Sequence, residues 1–372
     1  MSQTDNRRIV LKFGSSSLTS PEGGLDRSKV QYYADEIAKL HERGEELIIV
    51  SSGAVAAGFR HIGYPSRPKQ LHEKQASAAV GQALLMQAYN EAFAAHDIRV
   101  AQILLTRSDF SNRKRIQNAW MTMEELIHHR IIPIINENDT VSVDELKFGD
   151  NDTLSALVAN LVKARLLAII TDTDGLYTDD PRRNPEARRL DRIEEINDYI
   201  WSIAGGAGTS VGTGGMRTKV EAARIATRGG VPVFVGRAKQ PGDIELAVDG
   251  AGHGTYFSTH EDGLSMKRQW IGFHSQTNGT IIVDEGAADA LLHAGRSLLA
   301  AGVVGMTGDF HPGDVVEVVT QDGVTIGRGV VNFAAWQLRA VQGLSSEEVM
   351  KRVDVARPEV IHRDEWITLA TR

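Results

Sequence analysis

Lys12 and Lys219 each stand beside a glycine-rich stretch, and this combination of residue types is suited to binding phosphate. Lys12 lies just before the glycine of "KFGSSS", and Lys219 closes "GTGGMRTK" at residues 212–219. A lysine ammonium reaches phosphoryl oxygens as a point charge, and glycine lets a phosphate approach the backbone closely. Taken singly, such lysines are usually solvated and such glycines only shape tight turns. Together they favour a phosphate-binding site over that simpler interpretation.

The stretch "GTGGMRTK" differs from a Walker A loop, which needs Gly-Lys-Ser/Thr at the start of a helix. Here Thr218 and Lys219 are followed by Val220. The stretch therefore either binds phosphate by another route or is a flexible surface loop. The first predicted strand is followed by "KFGSSSLTS", which lacks the G-x-G-x-x-G fingerprint and so excludes a dinucleotide-binding dehydrogenase.

Carboxylate and amide side chains are concentrated in "NENDTVSVDELKFGDND" at residues 136–152. This segment could be a solvent-exposed acidic loop with Asx turns. However, it leaves the apolar run "RIIPIIN" and enters the apolar run "LSALVANLV", so both of its ends are anchored. An anchored loop of this composition suits a substrate with an ammonium group, or the positioning of a metal or a lysine.

The elements that must position these residues alternate between strand and helix. Apolar runs predict strands at 8–14, 46–54, 99–106, 131–139, 165–177 and 231–237. Helical spacing predicts helices at 29–43, 72–97, 112–130, 152–164 and 218–230. Such alternation is typical of an α/β fold, a three-layer αβα sandwich around a mainly parallel sheet. The loops after parallel strands share one edge of the sheet, where ligands bind.

The C-terminal part of the chain has a different pattern. "DVVEVVTQDGVTIGRGVVNF" contains two period-two runs joined by Gln-Asp-Gly, which predicts a β-hairpin. We therefore expect a first domain at 1–257, a linker at 258–277, a small β-rich domain at 278–360 and a tail at 361–372.

Composition limits the classes of protein that the sequence can encode. The 372 residues are 42% hydrophobic and 24% charged, which is typical of a globular protein. The net charge of -7 argues against a nucleic-acid-binding surface. The absence of cysteine excludes disulfides, thiolate nucleophiles and cysteine-ligated zinc. No signal peptide is evident and no apolar run reaches the ~18 residues of a membrane span, so we expect a cytoplasmic protein.

Seven stretches, in this order, resemble the motifs of the amino-acid kinase family: "VLKFGSSSLT", "IIVSSGAVAAG", "LLTRSDF", "PIINENDTV", "FGDNDTLSA", "IITDTDGLYTDDPR" and "GTGGMRTKVEAA". The resemblance is closest to the branch that phosphorylates L-glutamate in the first step of proline biosynthesis, and the C-terminal part resembles a PUA domain. It implies transfer of the ATP γ-phosphoryl group to the side-chain carboxylate, giving L-glutamyl 5-phosphate and ADP. Mg²⁺ is implied with the ATP.

The resemblance also implies a role for individual residues. Lys12 and Lys219 match the two phosphate lysines, and Asp152 matches the aspartate that orients them. The positions that match the glutamate site are Ser52, Gly53, Ala54, Asp139, Asp150 and Asn151. The positions that match the nucleotide site, besides the two lysines, are Gly14, Ser15, Thr171, Asp172, Thr213, Gly214, Gly215, Met216, Arg217 and Thr218. No protein ligand for a metal is assigned.

The chemistry implied by the resemblance needs no general base. A carboxylate with an ordinary pKa of about 4.3 is already ionised at neutral pH. The obstacle is repulsion between two anions, about 4 kcal/mol for unit charges at 4 Å and an effective dielectric near 20. The two lysines and Mg²⁺ would offset this repulsion. Asp152 would hold the lysines, and Asp139 would take the ammonium group of the substrate.

Other readings stay open. Family members that act on aspartate, acetylglutamate, carbamate or uridylate would share the nucleotide edge. RNA binding through the PUA-like part is disfavoured, since residues 278–372 contain 13 acidic against 8 basic side chains. The resemblance further implies feedback inhibition by proline and a homo-oligomer, either a dimer or a tetramer, although no residue demonstrates either.

Overall fold

The computed structural model describes residues 6–20, 23–141, 151–205, 215–259, 271–272, 275 and 277–369, without the side chain of residue 113. Three residues of the predicted site lie outside the described residues: Asp150, Thr213 and Gly214. The chain divides near residue 263 into two compact units.

In its described part, the first unit contains one sheet of eight strands. They are β1 (Arg8–Phe13), β2 (Glu46–Val50), β3 (Val100–Leu105), β4 (Ile132–Glu137), β5 (Leu166–Ile170), β6 (Arg192–Ile193), β7 (Val233–Gly236) and β8 (Gly254–Phe257). Their order across the sheet is β3-β4-β2-β1-β5-β7-β8-β6. The six strands from β3 to β7 are parallel, and β8 runs antiparallel to β7. The prediction of a mainly parallel sheet is confirmed.

Helices connect these strands. They are α1 (Ser15–Leu18), α2 (Arg27–Glu42), α3 (Ala54–Gly58), α4 (Leu71–Ala94), α5 (Arg107–Ser111), α6 (Arg113–His128), α7 (Asn151–Leu161), α8 (Asp198–Ala204), α9 (Met216–Arg228) and α10 (Asp243–Val248). The five helices predicted from periodicity correspond to α2, α4, α6, α7 and α9. The other five were not predicted because they have seven residues or fewer, too few for an apolar stripe to repeat.

The alternation of side chains along β1 divides the core into two layers. Ile9, Leu11 and Phe13 belong to one buried cluster with residues of α2, α4 and α10. Val10 and Lys12 point to the opposite face because successive strand residues alternate. Helix α7 packs on β1 and against α9 at that face. The result is the three-layer αβα sandwich that the sequence predicts, with Lys12 directed towards α7.

Helices α3 and α4 are in backbone contact through two glycines. A Cβ atom on Gly81 would lie 1.8 Å from Ala54 O, and one on Gly58 would lie 2.0 Å from Ser77 O. Both distances are far below van der Waals contact, and the atoms in the way belong to the backbone. The contact fixes the position of α3, which begins with Ala54 of the predicted glutamate site.

We expect Gly81→Ala to destabilise the protein by about 1–3 kcal/mol, because α3 and α4 would have to separate. Thermal unfolding followed by circular dichroism measures the effect. Gly205→Ala is the matched control, since the nearest atom to a Cβ there is 3.5 Å away. An unfolding temperature of Gly81→Ala equal to that of the control would contradict this close packing.

The second unit is β-rich. Its strands are β9 (Thr277–Val283), β10 (Leu298–Leu299), β11 (Val303–Gly308), β12 (Val315–Thr320), β13 (Thr325–Val331) and β14 (Glu359–Thr368), and its helices are α11 (Glu285–Leu292), α12 (Ala335–Val341) and α13 (Ser346–Arg352). The strand order is β10-β14-β13-β12-β9-β11. Strands β12 and β13 pair antiparallel, which confirms the predicted hairpin.

Strand β14 continues past residue 360, the predicted end of the β-rich domain. It pairs antiparallel with β10 and β13, and Ile361 and Trp366 are buried in the core of this unit. The boundary expected at residue 360 therefore falls within a strand. The physical reason is that the apolar residues of this segment complete the core, so residues up to Thr368 belong to the sheet.

Among the described residues, none of the helices combines the length and apolar character needed to cross a membrane.

Candidate active site

The register of the sheet brings the ends of four strands to the same level. Lys12 of β1 pairs with Val50 of β2, which in turn pairs with Ile135 of β4. On the other side of β1, Phe13 pairs with Ile170 of β5. The loops that follow these strands therefore begin side by side at the carboxyl edge of the sheet. This is the edge at which the sequence analysis placed a ligand.

Asp152 joins the two lysines of the predicted phosphate site. It lies in the first turn of α7, and its Oδ1 accepts a hydrogen bond from Lys12 Nζ. Its Oδ2 accepts from Lys219 Nζ at 3.1 Å and from Thr218 Oγ1 at 2.9 Å. The structure thus brings Lys12 of β1 and Lys219 of α9 to one carboxylate, although 206 positions separate them in the sequence.

These three charged side chains are almost completely buried. The exposed fractions are 3% for Lys12, 0% for Asp152 and 6% for Lys219. Buried charges are strongly destabilising unless they are paired. Two ammonium groups contact the same carboxylate here, an arrangement suited to binding an anion such as a phosphoryl group.

Three of the predicted glycines precede helices. Gly14, Gly53 and Gly215 are the N-caps of α1, α3 and α9, and none provides a side-chain cap. Gly53 has φ 97°, a conformation that favours glycine. Gly14 has an ordinary φ of -73°. Its role is different, because a Cβ there would lie 3.8 Å from Lys12 Nζ, in the space beside the ammonium group.

Asn151, the first residue of α7, fixes the loop that follows β2. Its Nδ2 donates to Ser51 O at 2.7 Å, to Ser52 Oγ at 2.9 Å and to Asn136 Oδ1 at 2.9 Å. Its Oδ1 is buried and accepts no hydrogen bond from any described residue. A buried acceptor without a partner loses about 1–3 kcal/mol relative to one that is satisfied. The arrangement therefore favours a ligand that donates to this oxygen.

Asp139 lies two residues beyond β4, at the wall of a small cavity. The residues that line it are Ala54, Ala78, Gln82, Leu104, Glu137, Asn138, Asp139 and Thr140. Burial raises the pKa of Asp139 to about 6, although the charge of Arg67 opposes this shift. Two predicted substrate positions, Ala54 and Asp139, thus share one cavity.

The remaining predicted nucleotide residues among those described lie after β5, at the start of α9 and at the start of α1. Thr171 is buried, and its backbone N–H donates to Gly236 O at 2.9 Å. Its hydroxyl donates to Asp172 Oδ1 at 3.1 Å, while the Asp172 side chain is exposed. Met216 and Arg217 form the first turn of α9, and Ser15 is the first residue of α1.

Comparison with known proteins agrees with this geometry. The amino acid kinase family matches residues 7–237, more than half of the chain. The chain belongs to the amino acid kinase family. The PUA domain family matches residues 279–353, within the second unit.

Curated relatives of this amino acid kinase match it along almost its whole length. Proteins named glutamate 5-kinase from Geobacillus thermodenitrificans and Geobacillus kaustophilus are each 50% identical over 364 residues, covering 98% of this chain and 97% of theirs. A glutamate 5-kinase of Bacillus cereus is 46% identical over 364 residues, covering 98% of this chain and 99% of its own. The similarity therefore extends over both units.

Two residues of the site in this amino acid kinase were not singled out from the sequence. Asn136 is 1% exposed and accepts from Asn151. Gln82 of α4 accepts from Asn136 Nδ2 at 2.8 Å. A glutamine within an alanine-rich helix has no distinguishing pattern, so only the packing of α4 reveals it. Asn136 lies in the quoted acidic stretch, but nothing in its spacing distinguishes it from its neighbours.

The described residues of this amino acid kinase contain no group of three or more His, Cys, Asp or Glu side chains that could hold a metal ion. Asp152, which contacts both lysines, accepts hydrogen bonds from Lys12, Lys219 and Thr218.

Proposed function

We propose that this chain transfers the γ-phosphoryl group of ATP to the side-chain carboxylate of L-glutamate, giving L-glutamyl 5-phosphate and ADP, the first step of proline biosynthesis. The observation that carries the proposal is the buried pair of lysines bridged by Asp152 at the carboxyl edge of the sheet. The near full-length similarity to proteins named glutamate 5-kinase supports the choice of substrate.

Phosphoryl transfer depends mostly on position and on stabilisation of charge. Lys12 and Lys219 would each contact oxygens of the transferred group, whose charge is spread over several oxygens midway through the reaction. Asp152 would hold both ammonium groups in place through hydrogen bonds to its two oxygens. It would not act as a base, because the attacking carboxylate needs no deprotonation at neutral pH.

The glutamate would bind on the other side of the lysines, next to α3 and β4. Asp139 would pair with its ammonium group, and Asn151 Oδ1 would accept a hydrogen bond from the same group. Ser52 already accepts from Asn151 through its oxygen, so its own O–H can donate to a substrate carboxylate. These assignments account for the buried acceptor of Asn151.

Mg²⁺ would enter with ATP and neutralise part of the phosphate charge. The donor set of the described residues fits this role only through the nucleotide, because no cluster of protein ligands is present among them. Phosphate oxygens and water are ligands that Mg²⁺ accepts readily. The chain itself would position the phosphates through the two lysines and the backbone at the start of α9.

ADP release with a panel of acceptors tests the proposal. L-glutamate should support turnover with ATP and a divalent metal, whereas aspartate, acetylglutamate, carbamate and uridylate should not. Turnover with one of these other acceptors in place of L-glutamate would assign the chain to another branch of the family. ADP release dependent on none of them would reject the kinase activity proposed here.

We expect Asp139→Asn to raise the KM for L-glutamate by about 10- to 100-fold with a smaller change in kcat. The reason is that the charged hydrogen bond to the ammonium group is present in both ground and transition states. Initial-rate kinetics at pH 8 measures the effect. Asp191→Asn is the control, since that carboxylate is exposed in the same unit. An unchanged KM would remove Asp139 from the substrate site.

The same assignment predicts a pH dependence. The pKa of Asp139 is raised to about 6, so its carboxyl is ionised above pH 6 and becomes neutral below it. The KM for L-glutamate should therefore rise as the pH falls through 6, and Asp139→Asn should abolish this part of the profile.

Proline inhibition, a dimer or tetramer, a cytoplasmic location and the limits of the linker at 258–277 stay predictions.

A further inference from the structure

Four amide side chains form a continuous hydrogen-bonded chain from the edge of the sheet to the substrate site. Gln82 Nε2 of α4 donates to Gln102 Oε1 of β3 at 3.0 Å. Asn136 Nδ2 of β4 donates to Gln82 Oε1 at 2.8 Å. Asn151 Nδ2 of α7 donates to Asn136 Oδ1 at 2.9 Å. In each of these three hydrogen bonds, the amide nitrogen donates to the next side chain on the way to Gln102.

Two backbone groups set the direction of this chain. The Glu137 N–H donates to Asn136 Oδ1 at 3.0 Å, so that position must be an acceptor. The Ser51 carbonyl accepts from Asn151 Nδ2 at 2.7 Å, so that position must be a donor. Because the orientations of both the Asn136 and Asn151 amides are fixed, Asn151 Oδ1 is the last atom of the hydrogen-bonded series. It accepts no hydrogen bond from any described residue.

Asn136 connects Gln82 to Asn151, and its side chain is sensitive to the loss of a hydrogen-bond partner. It is 1% exposed, so water cannot replace an acceptor that its Nδ2 loses. That acceptor is Gln82 Oε1. Without it, Asn136 would have to rotate or leave a buried N–H unsatisfied, and rotation would turn its own nitrogen towards Asn151 Nδ2.

We propose that Gln82 is a positioning residue for the substrate: it holds Asn136, which holds Asn151 with its oxygen directed at the ammonium group of glutamate. This inference rests on the proposed function. Gln82 also lines the cavity that contains Asp139, so a direct contact between Gln82 and the substrate is the alternative that the experiment must separate.

Gln82→Met removes the acceptor at nearly constant size and should raise the KM for L-glutamate about tenfold. The KM for ATP should change by less than about twofold, because the lysines do not belong to the chain of amides. Gln82→Glu keeps an oxygen for Asn136 and should restore most of the affinity. Gln87→Met is the matched control, since Gln87 lies on the same helix and bonds only to Glu91 among the described residues.

A double-mutant cycle with Asn151→Ala separates the two routes. If Gln82 acts through Asn151, Gln82→Met should have no further effect in the Asn151→Ala background, because the group that it positions is already gone. If Gln82 contacts the substrate itself, its tenfold effect should persist there. Independent effects of the two substitutions would overturn the positioning role. Thermal unfolding of each variant shows that it is folded.

The wild-type chain separates failure of this inference from failure of the proposed function. If the wild type releases no ADP with L-glutamate, the proposed function is wrong and the inference falls with it. If the wild type turns over and Gln82→Met keeps the wild-type KM, only the positioning role is wrong. The positioning role is supported if Gln82→Met raises the KM for L-glutamate tenfold, if Gln82→Glu reverses this rise, and if the rise is absent in the Asn151→Ala background.

Discussion

Lys219→Ala should lower kcat with ATP and L-glutamate by about 10²- to 10³-fold, while the KM for L-glutamate changes by less than about threefold. Removing one preorganised donor to developing charge typically has an effect of this size. Lys219 is 6% exposed and is held by Asp152 at 3.1 Å. Its ammonium group therefore has a fixed position and weak competition from water, which are the conditions for strong stabilisation of transferred charge.

The control for this prediction is Lys39→Ala. Lys39 is a half-exposed lysine of α2, and its ammonium group pairs with Glu36. Its loss should leave kcat within about twofold. Coupled ADP detection at saturating substrates measures both variants. If Lys219→Ala turned over as fast as Lys39→Ala, the proposal that two lysines act on one phosphoryl group would be wrong.

The sequence was sufficient to predict the strands and long helices that bear the two lysines and Asp152, but not the short helices α1 and α3. A parallel α/β sheet has buried strands between amphipathic helices, and both patterns repeat often enough here to be recognised. Such a sheet has one edge at which loops from distant parts of the chain meet. For this reason Lys12 and Lys219 could be expected to lie close together, although they are far apart in the sequence.

Features that depend on a single packing contact could not be predicted in the same way. Gln82 contributes to the site because α4 lies against α3 at the contact of Gly81 with Ala54. Asn136 contributes because the register of β2 and β4 pairs Val50 with Ile135, the residue before it. Neither contact is a property of residue type or spacing. The full length of strand β14 was not predicted for a related reason. Its apolar residues can be assigned to the sheet only when the core that they complete is known.

The carboxylate between the lysines should be as important for stability as for turnover. Asp152→Asn would keep the shape of the side chain but remove the charge that both ammonium groups contact. Breaking a buried ion pair on one side typically costs about 3–5 kcal/mol. Thermal unfolding should show a decrease of roughly 10 °C, and kcat should fall with it because the lysines would no longer be held in place.

A surface ion pair provides the control. Asp249 pairs with Arg43 at 2.8 Å, and both side chains are substantially exposed. Asp249→Asn removes the same charge from the chain but should change stability by no more than about 1 kcal/mol. If the two variants unfolded at the same temperature, the cluster around Asp152 would not be an energetically significant buried ion pair.

Anion binding should then restore part of what Asp152→Asn loses. A phosphate group would occupy the same positive environment and replace the missing charge, so ATP should raise the unfolding temperature of Asp152→Asn by more than it raises that of the wild type. Adding Lys219→Met to Asp152→Asn should also recover stability, because it removes one of the two buried ammonium groups that lost the Asp152 charge. It should recover no turnover, because the proposed mechanism depends on Lys219. The double variant should be stable but inactive, and ATP should stabilise Asp152→Asn more than the wild type. This combination is expected only if the buried ammonium groups hold phosphate. Equal stabilisation of Asp152→Asn and wild type by ATP would contradict that assignment.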